Sequence, residues 1–150
     1  MTTRNSLRAI CSLLLLALLP GCSVPFRSGE VARVASPSGR VDAIVIEANT
    51  GRASASSYDV FIVPSGEGHA RGRHVASLYS ATRNRSSYGV NLKWENSARL
   101  AIEYLKASAA KVLEERPAVE GEQVEVWLRD GVEDVQAPPG IMLDNLHKKR

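Results

Sequence analysis

"NLKWENSARLAIEYLKASAAKVLEERP", residues 91–117, is the stretch on which the fold turns. Two periodicities are written into it. Ala98, Ala101, Ile102, Leu105, Ala109, Val112 and Leu113 recur at i, i+3, i+4 spacing, with Arg99, Glu103 and Lys106 off that stripe, as in an amphipathic helix. Ala, Leu, Lys and Glu are good helix formers, and Pro117 stands where a last turn would stop. The same letters also divide as "VNLKW", "ENSA" and "RLAIEY": strand, tight turn and strand, with Leu100, Ile102 and Tyr104 on one face. The first reading predicts an α+β chain with a helix over 97–115. The second leaves at most a short helix near 107–115.

The flanking segments favour β structure. "VDAIVIEA", residues 41–48, is β-branched and apolar enough to be buried on both faces. "SYDVFIVP", residues 57–64, mixes aromatic and β-branched residues and stops at Pro64, which cannot donate to a ladder. "HVASLYSA", residues 74–81, alternates weakly, with Val75, Ser77 and Tyr79 against Ala76, Leu78 and Ser80. "GEQVEVWLRDG", residues 121–131, alternates most clearly, with Val124, Val126 and Leu128 on one side and Glu125, Trp127 and Arg129 on the other. Polar loops bearing Gly or Ser separate the first three, as hairpins require. In residues 36–107 the succession "SPSG", "SYDVFIVP", "NLKW", "RLAIEYLKA" resembles a group of uncharacterised small bacterial envelope proteins and, in outline, one blade of a β-propeller. That resemblance carries no catalytic residue and decides residues 90–104 as β. The expected fold is therefore mostly β: a single antiparallel sheet or meander, or a small sandwich.

The chain begins with Arg4, Arg8 and no acid, followed by the apolar run "AICSLLLLALL", residues 9–19. This is the layout of a secretory signal. Eleven residues of helix span roughly 16 Å, about half of a hydrocarbon core of ~30 Å, too little for a stable transmembrane span. Leu19-Pro20-Gly21-Cys22 resembles the lipobox of bacterial lipoproteins, with an apolar residue three places before the cysteine and a small one directly before it. In that family the thiol takes a diacylglyceryl group and the signal is cut before it. Pro20 departs from the commoner Ala, Ser or Thr. Cys11 lies inside the signal, so a processed Cys22 has no intrachain partner. Several acyl chains at ~0.8 kcal/mol per buried CH₂ make a durable anchor. Ser23, where aspartate often means inner-membrane retention, points to the outer membrane, facing the periplasm, if the cell has two membranes.

The expected organisation is a signal peptide over 1–21, a lipid-anchored tether over 22–35 whose last residues, "EVARVA" at 30–35, are a candidate opening strand, a β-rich domain over 36–134, and an extended C-terminal arm with a basic, fraying tail over 135–150. Without Arg4 and Arg8, 17 Lys and Arg face 16 Asp and Glu, a net charge of +1, so a basic surface for nucleic acid is not supported. No phosphate-cradling glycine motif suggests nucleotide binding.

Candidate chemistry is sparse. His69 and His74 flank the arginine-bearing "HARGRH" without further ligands, so neither a metal nor any other cofactor is expected. Arg71, Arg73, Arg83 and Arg85 could meet at one sheet edge as an anion contact for lipid phosphate, a wall polymer or an acidic partner; solubility is the competing explanation. No "GxSxG" elbow is present, and the Glu114–Glu115 and Glu120–Glu122 pairs lie in charged, interrupted sequence. Trp94 and Trp127 read as sheet-covering residues. The sequence thus points to a non-catalytic envelope lipoprotein, a binding or assembly accessory with a protein partner. The rivals are an inhibitor or immunity-type lipoprotein that blocks a hydrolase through a protruding loop at residues 65–74, and an enzyme with an unrecognised site.

Overall fold

A computed structural model describes residues 26–49, 56–84, 87–134 and 141–148. Twelve strands and one α-helix make up the described fold: β1 (Arg27–Ala35), β2 (Val41–Asn49), β3 (Ser56–Pro64), β4 (Arg73–Tyr79), β5 (Arg83–Asn84), β6 (Ser87–Tyr88), β7 (Asn91–Asn96), β8 (Arg99–Glu103), β9 (Ala109–Val112), β10 (Ala118–Val119), β11 (Glu122–Gln123), β12 (Glu125–Arg129) and α1 (Met142–Lys148). The chain is mostly β, as the alternation and β-branched runs of its segments predict. Five strands form one antiparallel sheet in the order β1-β2-β3-β4-β9, and three form a second in the order β12-β8-β7. The two sheets share one core, so the architecture is a small sandwich, and the likeness to a single propeller blade does not hold.

The core follows from period-2 alternation. Val41, Ala43 and Val45 of β2, Tyr58, Val60 and Ile62 of β3, and Ala76 and Leu78 of β4 face Leu100 and Ile102 of β8 and Val126 of β12, with Met142 of α1 closing one side. Side chains of this size contribute roughly 1.5–3 kcal/mol each when fully buried. The β1–β2 turn is held by Ser36 N donating to Val41 O at 2.9 Å and Gly39 N donating to Ser36 O at 2.9 Å. Gly39 adopts φ +70°, a conformation that costs glycine little.

Residues 91–117 contain no described helix, neither over 97–115 nor over 107–115. β7 and β8 form a hairpin across Ser97 and Ala98, and Asn96 Oδ1 accepts a hydrogen bond from Ala98 N at 2.9 Å, a side-chain turn that a continuous helix could not accommodate. β9 then pairs with β4 through Ala76↔Val112 and Leu78↔Ala110. A helix there would leave the β4 edge without a ladder partner, a cost that helix propensities of up to about 0.7 kcal/mol per residue do not offset.

Three further expectations are corrected. Residues 27–35, placed with the tether, are the edge strand β1, paired along β2 from Arg27↔Asn49 to Ala35↔Asp42; the strand expected at "EVARVA" is there and begins three residues earlier. The described part of the C-terminal arm and tail is the helix α1, which lies against the start of β1: Asp144 accepts from Arg27 at 2.8 Å, and a Cβ at Gly29 would come 2.9 Å from Leu143 Cδ1. The ladder is also not wholly antiparallel, because β12 runs parallel to β8. Parallel neighbours need a long crossover. The 21 residues between Glu103 and Glu125 supply it, visiting the large sheet as β9 on the way.

Candidate functional site

Each sheet has an outer face turned away from the core, and each carries one cluster of polar side chains. On the large sheet Asp59 and Phe61 of β3 stand opposite Ser77 and His74 of β4. A β-bulge shifts the register between Val60 and Phe61, leaving Val75 as the extra residue of β4. In an unbroken strand residues i and i+3 face opposite sides; the bulge brings His74 and Ser77 to the same one. His74 Nε2 lies 3.1 Å from Asp59 Oδ1 and 3.0 Å from Ser77 Oγ, while Ser77 Oγ donates to Asp59 Oδ1 at 2.6 Å. The imidazole also stacks on Phe61 with centroids 4.6 Å apart, and the His69 ring lies tilted to Phe61 at 5.6 Å.

Serine, histidine and aspartate are the residue types of a hydrolytic triad, so geometry must decide. A triad uses both ring nitrogens, one for the acid and one for the nucleophile. Here one nitrogen serves both partners, and the serine proton points to the carboxylate instead of the imidazole. The hydroxyl is held by the group that would have to orient its base. The geometry therefore differs from that of a triad, in which the nucleophile and the acid meet opposite nitrogens of the ring.

The loop beside this cluster is firmly held. Asp42, 3 % exposed, accepts from Gly66 N at 2.9 Å, from Arg33 Nη1 at 2.7 Å and from Ser65 Oγ at 3.4 Å. Burial pushes its carboxyl pKa up, but the Gly66 amide, the Arg33 guanidinium and Ser65 outweigh that and hold it below the ordinary value. Arg33 in turn donates to Glu67 O at 3.0 Å. The 3-10 turn His69–Arg71 is thus presented, exposed, on a loop fastened across β2 to β1. Loop 65–74 does not protrude freely. Gly72 sits so close to the sheet that a Cβ would lie 2.5 Å from Val63 Cγ1 and 2.7 Å from Ile62 O.

On the outer face of the small sheet, Trp127 lies under two guanidinium groups, Arg129 at 4.4 Å and Arg99 at 5.3 Å from the ring centroid. Arg129 bonds Glu103 at 2.7 Å and also Glu95, while Arg99 reaches Glu95 at 3.3 Å and Glu125 at 3.4 Å. Trp94, by contrast, leans toward the core and donates its Nε1 to Val34 O of β1 at 3.0 Å, tying the two sheets together along one edge. An open cleft of about 210 Å³, lined by Ala98, Arg116, Gln123 and Glu125, flanks the β7–β8 turn. That is below the ~300 Å³ at which small-molecule sites begin.

Of the arginines read as one anion contact, the three described ones are divided between the two ends of β4. Arg71 lies 3.9 Å from Glu67, and Arg73 makes a two-pronged contact with Glu114 at 3.0 and 2.7 Å. Arg83 is beyond the other end of β4, 7 % exposed, with Nη1 2.8 Å from the fully buried Glu47. Tyr58 Oη donates to the same carboxylate oxygen at 3.2 Å, and the second oxygen accepts from Leu143 N of α1 at 2.8 Å. Burial, then the Glu47 charge, raises the Tyr58 pKa well above its ordinary value, so the phenol remains a donor. Arg85 and Cys22 lie outside the described residues. Among the described residues no group of three or more His, Cys, Asp or Glu is placed to hold a metal ion, and no helix is long and apolar enough to cross a membrane.

Sequence reasoning missed the Asp59–His74–Ser77 cluster. Asp59 in "SYDVFIV" was the available signal: a lone acid at an outward position of an otherwise apolar strand. No family model, curated protein or solved structure matches the chain.

Proposed function

We propose that this protein is a lipid-anchored lipoprotein of the bacterial envelope with a non-catalytic role, binding or assisting the assembly of a protein partner. The basic and apolar leader and Leu19-Pro20-Gly21-Cys22 support the anchor. Only Ser23 to Phe26 separate Cys22 from β1, at most about 18 Å of extended chain, so an acylated Cys22 would hold the sandwich close to the bilayer. With Ser23 after the cysteine, the outer membrane is the proposed location where two membranes exist.

The observation that carries the non-catalytic reading is the Ser77 hydroxyl donating to Asp59 at 2.6 Å. The nucleophile, base and acid types present on this face satisfy one another. The second reading, an inhibitor or immunity-type protein, is favoured by the fastened loop: a turn already ordered before contact loses less entropy on binding, which suits tight blocking of an active-site cleft.

Fractionation of producing cells tests the anchor. Wild type should sediment with membranes and release only in detergent, whereas Cys22→Ser should be soluble; equal membrane retention of the processed variant overturns the reading. Photo-crosslinking from positions 69 and 71 in the same cells tests the role. A single hydrolase captured there selects the inhibitor reading, and an assembly component selects the accessory.

A further inference from the structure

Strand register arranges the outer face of the small sheet as a grid. Glu125 stands beside Arg99, Trp127 beside Ala101 and then Lys93, and Arg129 beside Glu103. Alternation turns Ala101 away from the core that Leu100 and Ile102 enter, yet it is fully buried. The side chains of the outer face therefore cover it, with Trp127 directly opposite.

The cations of this face are unequally satisfied. Arg129 is engaged by both Glu103 and Glu95. Arg99 comes no closer than 3.3 Å to Glu95 and 3.4 Å to Glu125, both through Nε, which is longer than a charge-assisted hydrogen bond. Lys93 and Arg116 are exposed and pair with no carboxylate among the described residues. Arg116 lines the cleft of about 210 Å³ with Ala98, Gln123 and Glu125, and Glu125 joins that cleft to Arg99. The nearby acids do not fill the deficit: Glu95 and Glu103 hold Arg129, and Glu115, beside Arg116 in sequence, does not line the cleft.

A donor is left over as well. Trp127 Nε1 is buried and has no acceptor, although a buried indole N–H usually finds one. An oxygen entering beside the ring would supply it.

We infer that this face, from the Arg116 cleft across Arg99 and Trp127 to Lys93, is the docking surface for an acidic segment of the protein partner. It rests on the binding-accessory reading and adds the chemistry of the partner. Guanidinium groups suit planar carboxylates, and Trp and Arg carry much of the binding energy at protein interfaces. One partner carboxylate replaces Glu125 on Arg99, at little cost because that salt bridge is exposed. A second meets Arg116 and the Gln123 amide in the cleft, which is of a size for a side chain and not for a whole small molecule.

The test uses the chain from residue 22 onward carrying Cys22→Ser, which retains every described strand and helix. It is titrated with hexaglutamate peptide while the two indole N–H signals are followed by NMR, that of Trp127 being assigned with Trp127→Phe. The Trp127 signal should move as it gains an acceptor, that of Trp94 should stay, and added salt should weaken the binding. Hexaglutamine should have no effect. Arg99→Ala and Arg116→Ala should each weaken binding about threefold with an unchanged thermal melt, whereas Glu125→Gln, which frees Arg99, should tighten it about twofold. Lys111→Ala, on the large sheet, should bind as the parent does. A stationary Trp127 signal, an equal response to hexaglutamine, or parental binding by both arginine variants overturns the inference. The accessory reading is tested apart from it. Crosslinking from positions 69 and 71 that finds no envelope partner, with hexaglutamate binding as described, removes that reading alone; a partner captured equally well by the Arg99→Glu, Arg116→Glu double variant removes the inference alone.

Discussion

Two charged networks hold this molecule together, and they differ chiefly in their access to water. Around Glu47 the carboxylate is fully buried, its guanidinium partner Arg83 is 7 % exposed, and a phenol and a helix amide occupy the remaining acceptor positions. Around Trp127 the partners are wet: Arg129 is 31 % and Arg99 46 % exposed. The same chemistry therefore does different work. Burial makes the first cluster a fastening between β2, β3, the segment after β4, and α1. Exposure leaves the second cheap to open and free to exchange its salt bridges for contacts with another molecule.

The sharpest way to break this contrast is Glu47→Ala. It removes from the interior the carboxylate that Arg83, the Tyr58 hydroxyl and the Leu143 amide share, so a loss of about 3–5 kcal/mol is expected by urea unfolding. Hydrogen exchange should also show α1 released before the sheet. A loss below ~1 kcal/mol would mean that water reaches the site and that the two networks are alike.

Asp42 stands between the extremes, with a buried carboxylate and a guanidinium partner 31 % exposed. Its pKa is lowered in the fold, so its contribution is complete above the ordinary carboxylate value near pH 4 and is lost as pH falls through the lowered one. Urea midpoints should therefore drop on acidification in wild type and drop less steeply in Asp42→Asn, whose neutral-pH stability should already be reduced by roughly 1–3 kcal/mol. Parallel pH profiles for the two proteins would remove Asp42 as the group that fastens loop 65–72.

The smallest effect is expected at the wet network. Arg129→Ala removes one guanidinium contact with Trp127 and two salt bridges, to Glu95 and to part-buried Glu103, and should cost about 1 kcal/mol or less, with part of that difference vanishing in high salt. A thermal melt of both proteins at two salt concentrations reads this. A large, salt-independent loss would place Arg129 with Arg83 among the structural arginines.

Strand content was legible because alternation is a local property. "VDAIVIEA" is buried on both faces and "QVEVWLR" on one, as their patterns require, with Val124 and Val126 in the core and Glu125 on the surface. The hairpin at "ENSA" was legible in the same way. The helix proposed near 107–115 was not excluded by anything local, since Ala109 to Leu113 are compatible with either state; the open edge of β4 makes them strand. Conversely "MLDNLHK", too short for an isolated helix, is helical because Met142 enters the core and Glu47 accepts the Leu143 amide. The polar cluster was hidden by one residue. Strict alternation separates His74 from Ser77, and only the bulge at Val75 reunites them beside Asp59.

By itself the sequence determined that this chain is β-rich and that no familiar catalytic motif is present, and it supplied Leu19-Pro20-Gly21-Cys22, on which the proposed anchor rests. Those are properties of neighbours along the chain: hydropathy, periodicity and short spacing. Tertiary structure decided that β1 belongs to the sheet, that 109–112 is an edge strand, that Arg83 is sealed inside while Arg71 and Arg73 stay outside, and that α1 lies beside the start of β1. Each of these depends on which distant residue supplies a hydrogen-bond partner or excludes water. Such a partner, 36 positions away for Arg83 and 96 for Leu143, leaves no trace in local pattern.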